Sequence, residues 1–272
     1  VLTSRSVVKM RTGTPASKPW ADKPLALIPT PKYVTKKHDM WTSGASHMCN
    51  VHNAIFRGYN SIYLQAPHVG ESDKTAFLGY CRTWCKFVMT HAAEEEGGLF
   101  PEAEKLLDEN VFEHSHEEHV PFTLGVDQVN YLETLRDASE LSSEKMLSLM
   151  SAFEQPFEEH FRKEIDVIAS LSSHPNSPEE GTQEQITAKA KFNSWGTNSV
   201  IHGGISDVLM FFLFNLDRDI EQGSWKDWPE IPGPIRWLLP RTVGSWHSGW
   251  WKFASCDANG RRKELYLPRT ET

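Results

Sequence analysis

Residues 91–95 read HAAEE and residues 160–164 read HFRKE, so a histidine precedes a glutamate by four positions in both segments. Each segment lies within a stretch whose apolar residues recur every three to four positions, which is typical of an α-helix. Residues four positions apart lie on one face of a helix, one turn apart, so each segment presents an imidazole beside a carboxylate. The pattern predicts two helices that bring polar groups into an otherwise apolar interior.

Two more segments have the same helical spacing, and each carries one histidine, His52 or His119, within its apolar stripe. The four predicted helices cover about residues 46–65, 72–96, 113–138 and 143–172. Short connections make neighbouring helices antiparallel. The sequence therefore predicts an all-α fold, an up-down-up-down four-helix bundle over residues 41–172.

The two flanks of the predicted bundle differ from it in composition. Residues 1–40 are rich in proline and lysine, which predicts an extended N-terminal arm. Residues 173–272 begin with a polar linker, continue as a helix to about Leu216, and end in a segment rich in tryptophan and proline. Because tryptophan is seldom left in water, we expect this C-terminal extension to pack on the bundle.

Composition excludes several classes of protein. A net charge of -8 without a basic stripe argues against a nucleic-acid partner. The longest apolar run, Val208 to Phe214, is too short for a membrane span. The four cysteines lack the spacing of a zinc site, and the N-terminus lacks a secretory signal. We therefore expect a cytoplasmic protein with reduced thiols. The sequence does not begin with methionine, so a leader that has been removed stays an open alternative. The oligomeric state is not predicted.

The inward polar groups of the four helices are four histidines and two glutamates: His52, His91, Glu95, His119, His160 and Glu164. A packed core accepts so many polar groups only if something satisfies them, and a metal cluster does so. Imidazole suits iron, copper and zinc, whereas bridging carboxylates suit a pair of iron or manganese ions. The residues predict a dinuclear centre and leave iron, manganese and zinc open as the metal.

The order of these six residues resembles that of the hemerythrin-like family, also called HHE cation-binding domains. Glu95–Glu96 followed by Leu99–Phe100–Pro101 is similar to that family's second helix, and Glu118–His119 is similar to its third. WWKFASCDANGR (250–261) and LIPTPKY (27–33) resemble the fungal branch. The resemblance implies two iron ions bridged by both glutamates, one ion held by His52 and His91 and the other by His119 and His160.

The sequence departs from the oxygen carriers of the family at one position. They have a second histidine four residues after the first on the third helix, and Thr123 stands there in this chain. The resemblance then implies a free coordination position for water, O2 or a substrate, and it argues against reversible oxygen carriage. We predict a pocket beside Thr123, with Phe56, Tyr59 and Trp84 in its lining; core packing is the competing interpretation for Tyr59.

Other polar residues near the motifs receive a simpler interpretation. Glu94 and Glu96 point about 100° away from Glu95 on a helix, which predicts that both face solvent. His114 and His116 do not have the spacing of a ligand pair with His119, so we expect them to be solvated. His202 and His247 (outside the bundle) would reach the pocket only if the extension folds over it.

Three functions fit these observations. The sequence favours an enzyme, a non-haem di-iron oxidase or oxygenase acting on a small organic molecule. The second is a protein that binds O2, NO or iron for sensing, storage or detoxification, and the third is a bundle with a vestigial metal site. A closed apolar cavity beside the metal ligands would favour the enzyme, but no catalytic residue beyond those ligands is predicted.

Overall fold

Four long helices form the body of the protein, in a computed structural model that describes residues 19–267, except for the side chains of residues 194–200. They are α2 (Met40–Gln65), α3 (Glu71–Glu94), α5 (Glu113–Val129) and α6 (Ser143–Ser170), together with the short helices α1 (Pro31–Thr35) and α4 (Phe100–Leu107). Helix α6 packs on α2 and α5, and α3 packs on α2 and α5 as well. The predicted all-α bundle of four helices is confirmed, and the described residues contain no β-strand.

Helix α2 begins earlier than the sequence pattern predicts. It starts at Met40 rather than near Ser46, and Asp39 caps it by accepting a hydrogen bond from the Thr42 amide at 2.9 Å. The Thr42 hydroxyl donates a second bond to the same carboxylate at 2.6 Å. A carboxylate at this position satisfies an amide that would otherwise lack a partner, so the helix gains one more turn.

The prediction of where the second helix ends is wrong. Gly97 and Gly98 do not terminate it; the chain passes through a π-helical turn at Glu95–Leu99 and continues as α4 to Leu107. Pro101 lies in the first turn of α4, where its missing N–H leaves no hydrogen bond unmade. A single π turn inside a helix displaces the residues after it, and such turns are frequent at functional sites.

The other two bundle helices agree more closely with the sequence. Helix α6 begins as predicted, with the Ser142 hydroxyl accepting from the Lys145 amide at 3.2 Å. Helix α5 ends at Val129, earlier than predicted, and two 3-10 turns, Asn130–Thr134 and Ala138–Glu140, lead to α6. Two further 3-10 turns, Ala66–His68 and Leu171–Ser173, follow α2 and α6.

Between residues 173 and 267 the C-terminal extension contains five helical segments: α7 (Gln183–His202), α8 (Val208–Asn215), α9 (Ile220–Gly223), α10 (Gly233–Thr242) and α11 (Ser248–Trp251), with a 3-10 turn at Val243–His247. Helices α7 and α8 pack on both α2 and α3, and α11 packs on α3. Helix α8 is buried along its whole length. The extension therefore covers the face of the bundle that α2 and α3 form. Trp237 and Trp246 nevertheless remain exposed, the latter at 73%.

The described part of the N-terminal arm is held by two buried asparagines of α2. Asn53 accepts from the Ile28 amide at 2.8 Å and donates to the Ile28 carbonyl at 2.8 Å. Asn60 makes the same pair of bonds with Leu25, at 2.9 and 2.8 Å. An asparagine that offers both an acceptor and a donor replaces the pairing of a β-ladder, so the arm is extended on α2 around Leu25 and Ile28. Contrary to the prediction, the arm is not extended throughout, because Pro31–Thr35 form α1.

The first 18 residues of the predicted arm lie outside the described residues. No helix within 19–267 has both the length and the apolar character that a bilayer crossing requires.

Candidate metal centre

The four bundle helices bring all six predicted ligands together in the core. Helix α2 supplies His52, α3 supplies His91, α5 supplies His119, and α6 supplies both His160 and Glu164, while Glu95 opens the π turn after α3. Every one of the six side chains is buried, with at most 5% of its surface exposed. The apolar stripes of the four helices face one another, so a histidine within each stripe must point into the shared interior.

Glu95 lies between the two pairs of histidines. Its Oε1 is 2.9 Å from His91 Nε2 and 4.0 Å from His52 Nε2, whereas its Oε2 is 3.5 Å from His119 Nε2. His52 Nε2 and His91 Nε2 are themselves 3.0 Å apart. Two sets of potential ligand atoms within 4.8 Å of one another result, His52–His91–Glu95 and Glu95–His119–His160. Because Glu95 belongs to both sets, it has the position of a bridging carboxylate.

Glu164 joins the same two pairs from α6. Its Oε2 lies 3.4 Å from His52 Nε2 and 3.8 Å from His160 Nε2. Each glutamate therefore faces at least one histidine of each pair. Two carboxylates placed between two pairs of imidazoles form the donor set of a dinuclear site.

Many polar atoms of this cluster have no hydrogen-bond partner among the described residues. They are His119 Nε2, both ring nitrogens of His160 and both carboxylate oxygens of Glu164. Glu95 Oε1 also forms no hydrogen bond with any described residue, although it lies 2.9 Å from His91 Nε2. Leaving one such group buried and unpaired costs about 1–3 kcal/mol, and more if it is charged. Cations bound between these atoms would satisfy them, so the residues present fit a metal centre.

Partners outside the cluster orient two of the imidazoles. His52 Nδ1 lies 3.0 Å from the Phe161 carbonyl, and His119 Nδ1 lies 2.6 Å from Glu96 Oε1. With Nδ1 engaged as a donor, Nε2 is the free nitrogen that faces the cluster, as metal-binding histidines require.

The contact of Glu96 with His119 corrects the prediction that Glu96 simply faces solvent. The π turn changes the direction of the residues that follow Glu95, and Glu96 contacts both His116 and His119 while it stays partly exposed. His116 is therefore paired rather than free in water. His114 Nε2 also lies 3.0 Å from Glu118 Oε1, but the His114 side chain is 72% exposed, as expected.

Burial disfavours the protonated forms of His52 and His160, whereas the surroundings of His119 favour its protonated form. Burial lowers the pKa of His52 to about 4 and that of His160 to about 2. Burial also acts to lower the pKa of His119, but Glu95 and Glu96 outweigh it and raise that pKa. His52 and His160 are consequently neutral at pH 7, and a neutral imidazole is the form that binds a metal.

The surroundings shift the pKa values of the two carboxylates, Glu95 and Glu164, in opposite directions. Burial acts to raise the pKa of Glu95, but His91, His119 and His52 outweigh burial and lower it well below its usual range. Burial and the neighbouring Glu95 raise the pKa of Glu164 well above its usual range. Two buried carboxylates this close do not both ionise unless positive charge lies between them, and divalent cations would supply that charge.

An apolar cavity of about 360 Å³ adjoins the cluster at His91 and Leu99. One wall comes from α2, including Trp41, His47, Met48 and Val51. The opposite wall comes from the extension, through residues such as Phe212, Trp228, Ile231, Ile235 and Leu239. Ile201 and Ile205, partly exposed, also line it. Ligand pockets commonly have volumes of about 300–1,000 Å³ and mostly apolar walls, so this space is suited to a small organic molecule.

The pocket predicted from the sequence is misplaced. Phe56, Tyr59 and Trp84 are completely buried and do not line the described cavity. Their rings pack on Phe157 with centroids 5.9 Å apart in each pair, and the Tyr59 hydroxyl donates to Glu154 at 2.9 Å. These aromatic rings fill the space between the helices with one another, so no room for a ligand is left among them.

Thr123 is likewise absent from the described cavity lining. Its hydroxyl donates to the carbonyl of His119 at 2.6 Å, within its own helix. The idea that its small side chain leaves a coordination position free stays a prediction.

The remaining histidines outside the bundle do not reach the centre. His202 lies 3.4 Å from Glu94 and is largely exposed, while His247 stacks on Trp250 with centroids 3.8 Å apart. Neither lines the described cavity. The cavity residue that the sequence reasoning missed is His47, because no spacing relates it to the other histidines.

Comparison with known proteins agrees with this geometry. The sequence model of the family described as "Hemerythrin HHE cation binding domain" matches residues 43–171. A protein described as "Dimeric xanthone biosynthesis cluster protein R11", from Cryptosporiopsis sp. (strain 8999), is 26% identical over 268 residues, which cover 96% of this chain and 98% of that protein. No solved structure matches. The resemblance inferred from the six ligand positions is therefore confirmed, because residues 43–171 match the model of the hemerythrin HHE cation-binding domain.

Proposed function

We propose that this protein is an oxidoreductase that uses two iron ions and O2 to oxidise a small apolar organic molecule. The observation that carries the proposal is the apolar cavity whose lining includes His91, one of the six candidate ligands. A protein that only binds O2, NO or iron has no need of such a space. An enzyme needs it to hold its substrate, out of water, next to the reacting centre.

The proposed metal pair is supported by the arrangement of the ligands. His52 and His91 would hold one ion and His119 and His160 the other, because Glu95 turns one oxygen towards each pair. Glu164 would complete the bridge from the opposite helix, since it approaches His52 and His160. Iron is preferred because mixed imidazole and carboxylate ligands suit it; manganese and zinc are the alternatives.

When bound, the iron ions would supply the redox chemistry with O2, and the chain's own residues have other tasks. The imidazoles and carboxylates fix the ions, and Glu96 holds the His119 ring in one orientation. The cavity walls orient the substrate beside His91 and exclude water. An oxidase would remove two hydrogen atoms from the substrate and pass both electrons and protons to O2, which gives hydrogen peroxide. A dioxygenase would place both oxygen atoms in the substrate, so either reaction balances without a further reductant.

The name of the relative supports an aromatic substrate. That protein is described as belonging to a cluster for dimeric xanthone biosynthesis. Xanthones are flat, fused aromatic molecules, and the cavity of this chain has Trp41, Phe212 and Trp228 in its lining. A cytoplasmic location is part of the proposal and is supported by the four cysteines, all of which are buried and unpaired.

The test is metal analysis of the purified full chain, followed by optical spectra recorded anaerobically before and after O2 is added. We expect about two irons per chain and an oxygenated species that decays, faster when an aromatic substrate is present. A long-lived oxygenated band that no organic molecule affects would instead identify a binding protein. A chain that acquires no metal under any condition would contradict both functions.

A further inference from the structure

His47 is one of the few polar side chains that line the mostly apolar cavity. The described lining contains three other side chains with strongly polar atoms, His91, Asn193 and Glu230. Asn193 and Glu230 are exposed to solvent, and His91 contacts Glu95 and His52 in the candidate metal centre. His47 is half-buried and belongs neither to the metal centre nor to the outer surface. It is therefore available to a molecule in the cavity.

The ring of His47 is held by aromatic contacts rather than by hydrogen bonds. It stacks on Trp228, with centroids 5.6 Å apart and planes 26° apart, and meets the edge of Trp225 at 5.8 Å. Neither ring nitrogen forms a hydrogen bond within the part of the chain that the structure describes. The ring thus has a fixed orientation and an unused hydrogen-bonding capacity, which is the arrangement of a ligand-binding group.

The charge of the imidazole is settled by its surroundings. Burial, followed by the nearby cations Lys32 and Lys189, lowers the pKa of His47 to about 4. At pH 7 the ring is neutral, so one nitrogen donates a hydrogen bond and the other accepts one. An accepting nitrogen in an apolar wall favours a partner that carries a hydroxyl group.

The rest of the lining restricts the ligand further. The described lining contains no lysine or arginine, so an anionic ligand would form no direct ion pair with the cavity wall. The walls include Trp41, Phe192, Phe212 and Trp228, which offer flat surfaces to a flat molecule. A volume of about 360 Å³ is at the lower end of the range of ligand pockets, about 300–1,000 Å³, and suits a molecule of two or three fused rings.

We infer that the cavity binds a neutral hydroxylated aromatic molecule whose hydroxyl group donates a hydrogen bond to His47. His47 is then a specificity-determining residue, and the edge of the molecule away from the hydroxyl is directed towards His91. As a statement about the substrate the inference rests on the proposed function, but binding through His47 requires no metal.

The test compares two probes that differ in one donor, 2-naphthol and 2-methoxynaphthalene, by anaerobic calorimetric titration of the full chain at pH 7. In the unchanged protein we expect 2-naphthol to bind about fivefold more tightly, which is the effect of one net hydrogen bond. In His47→Phe the preference should vanish or reverse, because the phenol loses its water without gaining a partner, while 2-methoxynaphthalene binds as before. His47→Gln, which keeps an acceptor, should restore part of the preference. His38→Phe, at an exposed position away from the cavity, is the matched control.

The inference is overturned if neither probe binds, if both bind equally to the unchanged protein, or if the preference persists in His47→Phe. A visible charge-transfer band that appears with 2-naphthol would also overturn it, since the hydroxyl would then be on a metal ion. Iron content and oxygen consumption, measured on the same samples, report separately on the proposed function. Selective binding through His47 in a chain without iron would contradict that function and leave this inference standing.

Discussion

Glu96 Oε1 lies 2.6 Å from Nδ1 of His119, while the adjacent Glu95 places an oxygen 3.5 Å from Nε2 of the same ring. Consecutive residues of the π turn thus contact opposite sides of one imidazole. In a regular α-helix, neighbouring residues point about 100° apart, and a shared partner would be out of reach for one of them. The π turn is therefore what converts Glu96 from a surface residue into an orienting partner.

This contact makes Glu96 the residue to test first. Glu96→Ala should lower the affinity for iron about 10- to 100-fold, since outer partners of metal-binding histidines contribute that much. Glu96→Gln, whose amide oxygen still accepts a hydrogen bond from His119 Nδ1, should lose less of its affinity for iron. Competition with a chromophoric chelator measures the affinities. Glu117→Ala, on the exposed face of α5, is the control, and an equal loss in that variant would show that the effect is only one of surface charge.

The second prediction concerns the number of metal ions. If Glu95 and Glu164 bridge two ions, the unchanged chain should contain about two irons, and the double substitution Glu95→Ala/Glu164→Ala should contain none. Removing both carboxylates takes away the charge that balances the cations in a low-dielectric interior. Elemental analysis together with a protein assay measures the number of irons per chain. One ion per unchanged chain, or two ions retained in the double variant, would rule out the carboxylate-bridged pair.

The third prediction uses Gly44, a cavity-lining residue within α2 at which an added Cβ meets no atom within 4 Å. Gly44→Leu should partly fill the cavity and weaken the binding of 2-naphthol at least tenfold, yet leave the iron content unchanged. Gly70→Leu is the control for a leucine added away from the cavity, because Gly70, at the N-cap of α3, is exposed and also has open space around it. Equal binding by the two variants would mean that the ligand lies elsewhere.

The fourth prediction is a pH dependence caused by His47. Its pKa is lowered from 6.5 to about 4, so the unfolded chain binds a proton there that the folded chain does not. This contribution to stability is present above pH 6.5 and is lost as the pH falls through 6.5 towards 4. The loss cannot exceed about 1.4 kcal/mol per pH unit, and partial exposure reduces it. Between pH 7 and pH 5, urea unfolding should show a larger loss of stability in the unchanged protein than in His47→Phe. Equal losses in the two proteins would contradict the lowered pKa of His47.

The fifth prediction concerns the attachment of the extension to the bundle. Phe211 of α8 is completely buried, packs on Tyr80 at 4.9 Å, and occupies the space beside Gly58, where a Cβ would meet its ring at 2.6 Å. Phe211→Ala should reduce the free energy of unfolding by about 3–5 kcal/mol. Trp246→Ala, at a site that is 73% exposed, should change it by less than about 0.5 kcal/mol. Denaturant titration measures the free energy of unfolding of both variants. Equal effects of the two substitutions would mean that α8 does not support the fold.

The identity of the bundle follows from local rules. A histidine and a glutamate four residues apart share a helical face in any helix, and the apolar stripes around His52, His91, His119 and His160 turn all four inward. The spacing of residues in the sequence was therefore enough to identify the six candidate ligands, which the structure places together. Helix ends were harder, because the cap at Asp39 and the π turn after Glu94 depend on side-chain and packing details that periodicity does not contain.

The cavity depended wholly on tertiary structure. His47 and Trp228 are far apart in the chain, and only the folding of the extension over α2 brings them into contact. Phe56, Tyr59 and Trp84 have the same inward spacing as the ligands, but whether such rings enclose a space or fill it depends on the shapes that meet them from other helices. The sequence by itself determined the bundle and its inward polar residues, because an i, i+4 relation is set by one helix. The location of the cavity and the orienting role of Glu96 were decided only by the tertiary structure, because both arise from contacts between segments that no local spacing relates.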